Sequence, residues 1–165
     1  VTTGCGQGSV FGGWMDEIDA LKLPNATITQ SRLYAVLNVI RVQESTYKSA
    51  GSVHGCALFD GEHMQLFVED VGRHNAIDTI AGWMWMQSVQ ANQDSIFYTT
   101  GRLTSEMVMK SAQMGVAIAV SRSGITQMGF DIAQRLSLCT IGRATNKHFL
   151  CYTQSERLVL DVGPS

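Results

Sequence analysis

The stretch SIFYTTGRLTSEMVMKSAQMGVAIAVS, residues 95–121, decides the fold. Ser95 to Thr100 is a short run rich in β-branched and aromatic side chains, which predicts a strand ended by Gly101. Thr104 to Met114 follows as a helix, and Val116 to Ser121 returns to a strand pattern. The same order continues on both sides. Downstream, a helix is expected from Ile125 to Ser137, then strands at Leu138–Gly142 and Phe149–Thr153. Upstream, a helix from Asn75 to Gln87 follows two strand-like runs, Val53–Asp60 and Met64–Glu69, with Gly61-Glu62-His63 as a hairpin connection. Earlier still, Thr27 and Gln30 read as a capping box before Leu33, Val36, Leu37 and Ile40, a helix expected to end near Ser49 to Gly51. Helices and strands that alternate with short links imply parallel strands and helices on both faces of the sheet. The hairpin makes that sheet mixed. The expected class is therefore α/β, a three-layer αβα arrangement.

The chain has 165 residues, 45% of them hydrophobic, and a net charge of −2. That is one domain's worth of chain, too apolar for disorder and able to bury roughly two-thirds of its unfolded surface. No basic bias supports nucleic-acid binding. No apolar run approaches the roughly 20 residues that span a bilayer, and no signal-peptide pattern opens the chain. A cytoplasmic protein with no nucleic-acid or membrane partner is expected. Residues 1–25 are rich in glycine and read as a flexible loop carrying Cys5, with residues 26–165 as the α/β domain. The chain opens on Val1 rather than methionine, so an upstream region is expected to be missing.

Polar residues concentrate where strands are predicted to end. The octapeptide Glu69-Asp70-Val71-Gly72-Arg73-His74-Asn75-Ala76 stands between a strand and a helix, where α/β proteins bind ligands. A capped helix behind a polar loop is the plain alternative, with Asn75 as cap and Asp78 three residues on. Capping leaves Arg73 and His74 without a role. Three more loops follow the pattern: Gly101-Arg102, Ser121-Arg122-Ser123-Gly124, and Arg143-Ala144-Thr145-Asn146-Lys147-His148. If their strands are parallel and adjacent, these loops share one rim. Guanidiniums, hydroxyls and helix N-termini on a common rim suit phosphate groups; a solvated polar face is the alternative.

Among the histidines, His54 lies in a strand-like run and reads as a core or edge residue, and His63 as a hairpin-tip surface residue. His74 is the candidate for functional contact. Cys56, Cys139 and Cys151 sit in apolar runs and read as small hydrophobes. No Cys-x-x-Cys spacing offers a zinc site or a two-cysteine redox motif. A zinc nucleoside deaminase would need His-x-Glu and Pro-Cys-x-x-Cys. Here His54 is followed by Gly55-Cys56 and the second element is absent. Cys5, in Thr-Gly-Cys-Gly-Gln-Gly, is the remaining reactive thiol, able to carry a persulfide or simply incidental.

Taken together, these segments resemble the formate dehydrogenase accessory sulfurtransferase family, usually called FdhD. The matching pieces are Thr3-Gly4-Cys5-Gly6, Val53-His54 with Ala57-Leu58-Phe59-Asp60, the Glu69–Ala76 octapeptide, Gly101-Arg102 with Ser105-Glu106-Met107, and Tyr152-Thr153 with Arg157-Leu158. The resemblance implies a cytidine-deaminase-like domain without zinc, preceded by a further N-terminal domain in full-length relatives, and a homodimer. It implies a cytoplasmic sulfur carrier that takes sulfur from a cysteine desulfurase. The carrier passes it to the molybdenum cofactor, bis-molybdopterin guanine dinucleotide, before insertion into formate dehydrogenase. By the same resemblance Cys5 is the persulfide carrier, and the cofactor-binding segment falls on Arg143, Ala144, Thr145, Asn146, Lys147 and His148. Arg73, His74 and Arg102 join them as expected contacts to phosphate or guanine. The sequence departs from the family pattern at Gly8, where a second motif cysteine is usual. A nucleotide-binding cofactor chaperone that passes no sulfur is the alternative function.

Overall fold

Three strands that are buried along their whole length form the centre of the molecule: Ser95–Thr99, Ile118–Ser121 and Cys139–Gly142. Strands buried on both faces cannot alternate polar with apolar, which is why these segments read as continuous apolar runs. The computed structural model describes residues 16–17, 19–45 and 53–161. Its elements in chain order are β1 (Ile28–Thr29), α1 (Gln30–Ser45), β2 (His54–Asp60), β3 (His63–Asp70), α2 (Arg73–Met86) and β4 (Ser95–Thr99). There follow α3 (Ser105–Gln113), β5 (Ile118–Ser121), α4 (Gln127–Leu136), β6 (Cys139–Gly142), β7 (Leu150–Thr153), a 3-10 turn at Ser155–Arg157 and β8 (Leu158–Val159).

Six strands make one mixed sheet in the order β3-β2-β4-β5-β6-β7. The β4/β5 and β5/β6 pairs are parallel, while β2/β3, β2/β4 and β6/β7 are antiparallel. Alternation along each strand divides two cores. Cys56, Leu58, Phe97 and Ala119 face Ile77 and Ile80 of α2, Val108 of α3 and Ile132 of α4. Ala57, Phe59, Ile96, Tyr98, Val120 and Ile141 face Leu33, Val36, Leu37 and Ile40 of α1. The sheet is thus the middle of three layers, as expected, with α1 the one described helix on its side. Among the described residues no helix is long and apolar enough to cross a membrane.

Three threonines start helices. Thr104 accepts from the Met107 amide, Thr126 from that of Gly129 at 3.1 Å, and Thr29 from that of Arg32 at 3.2 Å. The Thr29 bond corrects the expectation of a cap at Thr27, because residues 28 and 29 are already committed to β1. The expected helix end near residues 49–51 lies outside the described residues.

The ends of the domain meet. β1 pairs in parallel with β8, Ile28 opposite Leu158 and Thr29 opposite Val159. Arg157 donates to the carbonyls of Pro24 and Ala26 at 3.2 and 2.9 Å, and the Ser31 amide and hydroxyl donate to Asp161. Within the stretch read as a glycine-rich loop, Asp19 makes a two-pronged ion pair with Arg135 of α4, and Leu23 packs against both cores.

Candidate functional site

β4, β5 and β6 run in one direction, and β3 shares it because it is antiparallel to β2, which is antiparallel to β4. The turns that leave the C-terminal ends of these four strands therefore lie along one edge of the sheet. They are the octapeptide and the loops at 100–102, 121–124 and 143–148. Backbone and hydroxyl bonds knit them together. The Ser121 hydroxyl donates to the Gly101 carbonyl at 2.6 Å and accepts from the Ser123 amide at 2.9 Å. Arg122 N donates to Thr99 O, Arg143 N to Ser123 O, and Ala144 N to Ser121 O, at 2.8–3.1 Å. A buried serine with both bonding capacities used fixes two neighbouring turns at once.

The octapeptide folds differently from its expected capped form. α2 begins at Arg73, two residues early, and its cap is Gly72, which has no side chain to offer. Asn75 does not cap. Its amide donates to Asp70 Oδ1 at 3.3 Å, and the same oxygen accepts from the Gly72 amide at 2.8 Å. Asp70 holds the turn that Asn75 was expected to hold, and Arg73 and His74 fall in the first helical turn. The Arg73 charge there opposes the helix dipole, so an anion near it would relieve both.

Arg73 leans toward the β4 turn: a Cβ on Gly101 would sit 3.1 Å from Arg73 Cδ and 3.3 Å from His54 Nδ1. Only glycine admits that approach without displacing its neighbours. The Arg73 Nε is buried with no hydrogen-bond partner. His74 Nε2 is likewise buried and lies 3.0 Å from Glu106 Oε2 on α3. That separation allows an ion pair when the ring is protonated, but the two atoms are not aligned as a hydrogen bond. His54, half-buried at the start of β2, joins this cluster by tertiary placement alone. Its own neighbourhood in the chain gives no sign of it.

On the α1 side of the edge a cleft of about 130 Å³ is lined by Arg41, Tyr98, Arg122, Ala144, Thr145 and Asn146, with Leu37 and Ile40 behind. Burial pulls the Arg122 guanidinium below its ordinary value, and it stays a cation at neutral pH. Thr145 organises the loop, its hydroxyl accepting from the amides of Lys147 and His148 at 3.3 Å. Asn146, Lys147 and His148 are exposed, Ala144 is buried, and Arg102 is exposed beyond β4. Arg143 is exposed and held at φ 50°, the left-handed region that a non-glycine residue rarely occupies. The loop is pressed close to β7 and β5. A Cβ on the preceding Gly142 would meet Tyr152 Cε2 at 2.3 Å and Ser123 O at 2.9 Å. Cys5 and Gly8 lie outside the described residues.

The expected residues thus gather on one rim but in two groups. Arg73, reaching the end of β4, and Arg143, at the end of β6, are two strand spacings apart, about 10 Å. An extended ligand with phosphates along its length can reach both groups.

The FdhD/NarQ family model matches residues 1–159. The sulfur carrier protein FdhD of Bacillus subtilis is 30% identical over 159 residues, 93% of this chain and 59% of that protein. The sulfur carrier protein FdhD of Bacillus pumilus is 28% identical over 156 residues, with the same coverage. A crystal structure described as a formate dehydrogenase accessory protein from Desulfotalea psychrophila superposes with a TM-score of 0.72 at 30% identity. It covers 87% of this chain and 62% of its own. The chain spans about three-fifths of the length of these relatives. A match that runs from the first residue through the sheet to β8 leaves one conclusion: this chain belongs to the FdhD/NarQ family.

Proposed function

We propose that the chain is the catalytic part of a cytoplasmic sulfur carrier serving formate dehydrogenase. Its cargo is the molybdenum cofactor, bis-molybdopterin guanine dinucleotide, which we read as bound substrate. The observation that carries this reading is the single rim of four strand-end turns bearing Arg73, Arg102, Arg122, Arg143 and Lys147. Cations spread over the ends of four neighbouring strands suit a ligand with phosphates along its length. The names of the relatives, sulfur carrier proteins, supply the chemistry for Cys5.

In this reading the Cys5 thiolate attacks the outer sulfur of a desulfurase persulfide. A new sulfur–sulfur bond forms and the desulfurase thiolate leaves, with no net redox change. Cys5 then presents that outer sulfur to the cofactor lying along the rim. Arg143 and Lys147 hold one phosphate end, Arg73 and Arg102 the other, and His74 orients a guanine or phosphate oxygen. Thr145 and Asn146 line the cleft beside them. Binding both partners on one surface turns transfer into an effectively unimolecular step. A homodimer is part of this proposal.

Gly8, where the family usually has a second cysteine, favours one rival: a chaperone that binds guanine nucleotide and delivers cofactor without passing sulfur. Incubation with a cysteine desulfurase and cysteine separates the two. Mass spectrometry is expected to find one added sulfur on Cys5 and none on the Cys5→Ala chain, with guanosine diphosphate affinity equal in both. A wild-type chain that stays unloaded makes the chaperone the correct reading.

A further inference from the structure

Two cysteines that no part of the carrier reading uses stand on neighbouring strands. Cys139 on β6 is fully buried, while Cys151 on the edge strand β7 is half-buried, and both contribute to the core beneath α1. Their sulfurs are 4.0 Å apart. A disulfide needs about 2 Å, a closure that side-chain rotation can supply where the backbone has some play. The backbone is least constrained by pairing here: β6 and β7 shift register between Thr140 and Ile141, and among the described residues nothing pairs with the outer edge of β7.

We propose that Cys139 and Cys151 form a peroxide-sensitive dithiol that closes to an intramolecular disulfide. The two thiols are not equivalent. Cys139 holds its proton and donates it toward Cys151, so its ionisation is pushed up while that of Cys151 is pulled down by the same bond. When protonated, Cys151 donates to the Thr153 carbonyl at 3.5 Å, a weak bond that its thiolate forfeits. The more exposed Cys151 thiolate attacks a peroxide oxygen. The O–O bond breaks, sulfur is oxidised to a sulfenic acid, and hydroxide leaves. Cys139 sulfur then attacks Cys151 sulfur, and the hydroxyl departs with the Cys139 proton as water. The first hydroxide takes up the proton that Cys151 released on ionising, so the dithiol loses two electrons and the peroxide becomes two waters. The closed ring encloses residues 143–148.

Trypsin cleaves after Arg135, Arg143, Lys147 and Arg157, so the two cysteines fall on separate peptides, 136–143 and 148–157. After hydrogen peroxide treatment of the full chain, denaturing alkylation and digestion, these peptides are expected as a linked pair. Two thiols per chain are lost to alkylation, and Cys56, fully buried, stays alkylatable. In Cys139→Ser a 1,3-dione probe is expected to trap sulfenic acid on Cys151. The proposal is overturned if peroxide leaves both peptides alkylated, takes Cys151 to sulfinic acid with Cys139 unmodified, or links Cys151 to Cys5 instead.

Discussion

Arg143 shows what one side chain costs and contributes. Its left-handed backbone already costs about 1 kcal/mol or more, because the β-carbon crowds the following carbonyl. Asparagine tolerates that region, so Arg143→Asn removes the guanidinium without altering the loop. Calorimetric titration is expected to show guanosine diphosphate binding weakened about tenfold, or ~1.4 kcal/mol, with the unfolding midpoint no lower. Equal affinity in both chains would remove Arg143 from the rim's binding role. At this scale the sequence was partly legible. Arg73, His74, Arg102 and Arg143 stood out because basic side chains at strand ends need a reason. His54 and Arg41 did not, because each reaches the rim only through the fold: His54 through the Gly101 turn, Arg41 through the cleft. The closeness of Cys139 and Cys151 was equally hidden, since it depends on a slipped register rather than on spacing.

Helices α3 and α4 connect the parallel strands whose ends make the rim, so their first residues set where the turns stand. Thr126 caps α4 through the Gly129 amide at 3.1 Å, and the Leu103 carbonyl accepts from the Thr126 amide. Thr126→Ala is expected to cost about 1 kcal/mol and lower the thermal midpoint by about 2–4 °C, while Thr126→Ser keeps most of both. Differential scanning calorimetry checks this, and an unchanged midpoint would mean the cap carries no weight. Element order and type could be read from apolar patterning, which is strong in runs as long as 95–121. Helix starts were harder. Thr27 and Thr29 are chemically alike, and Asn75 is a better cap than Gly72, but strand pairing and the Asp70 turn decided both cases.

The molecule as a whole is a sheet between unequal helical layers, and the expected three-layer form follows from strands that are apolar on both sides. The three-to-one division of described helices was not legible, because a helix pattern does not say which face it covers. Cys56, in the thicker core, ties global stability to pH. Burial pushes its thiol up to about 11 from an ordinary 9.0, against a smaller opposing bond to Thr99. The folded chain therefore holds this proton where the unfolded chain has lost it. Stability is full below pH 9 and falls as pH rises toward 11, by up to about 2–3 kcal/mol. Tyr98, also pushed up by burial, adds the same sign. Urea titrations under reducing conditions are expected to show the decline, with a shallower slope for Cys56→Ala; identical slopes would assign it elsewhere. The β1–β8 clasp has a consequence for this architecture. Because the strand leading into α1 is held by β8, loosening of either strand loosens both. It would loosen the one described helix that keeps Phe59, Tyr98 and Ile141 from water, so sticky surface would first open there.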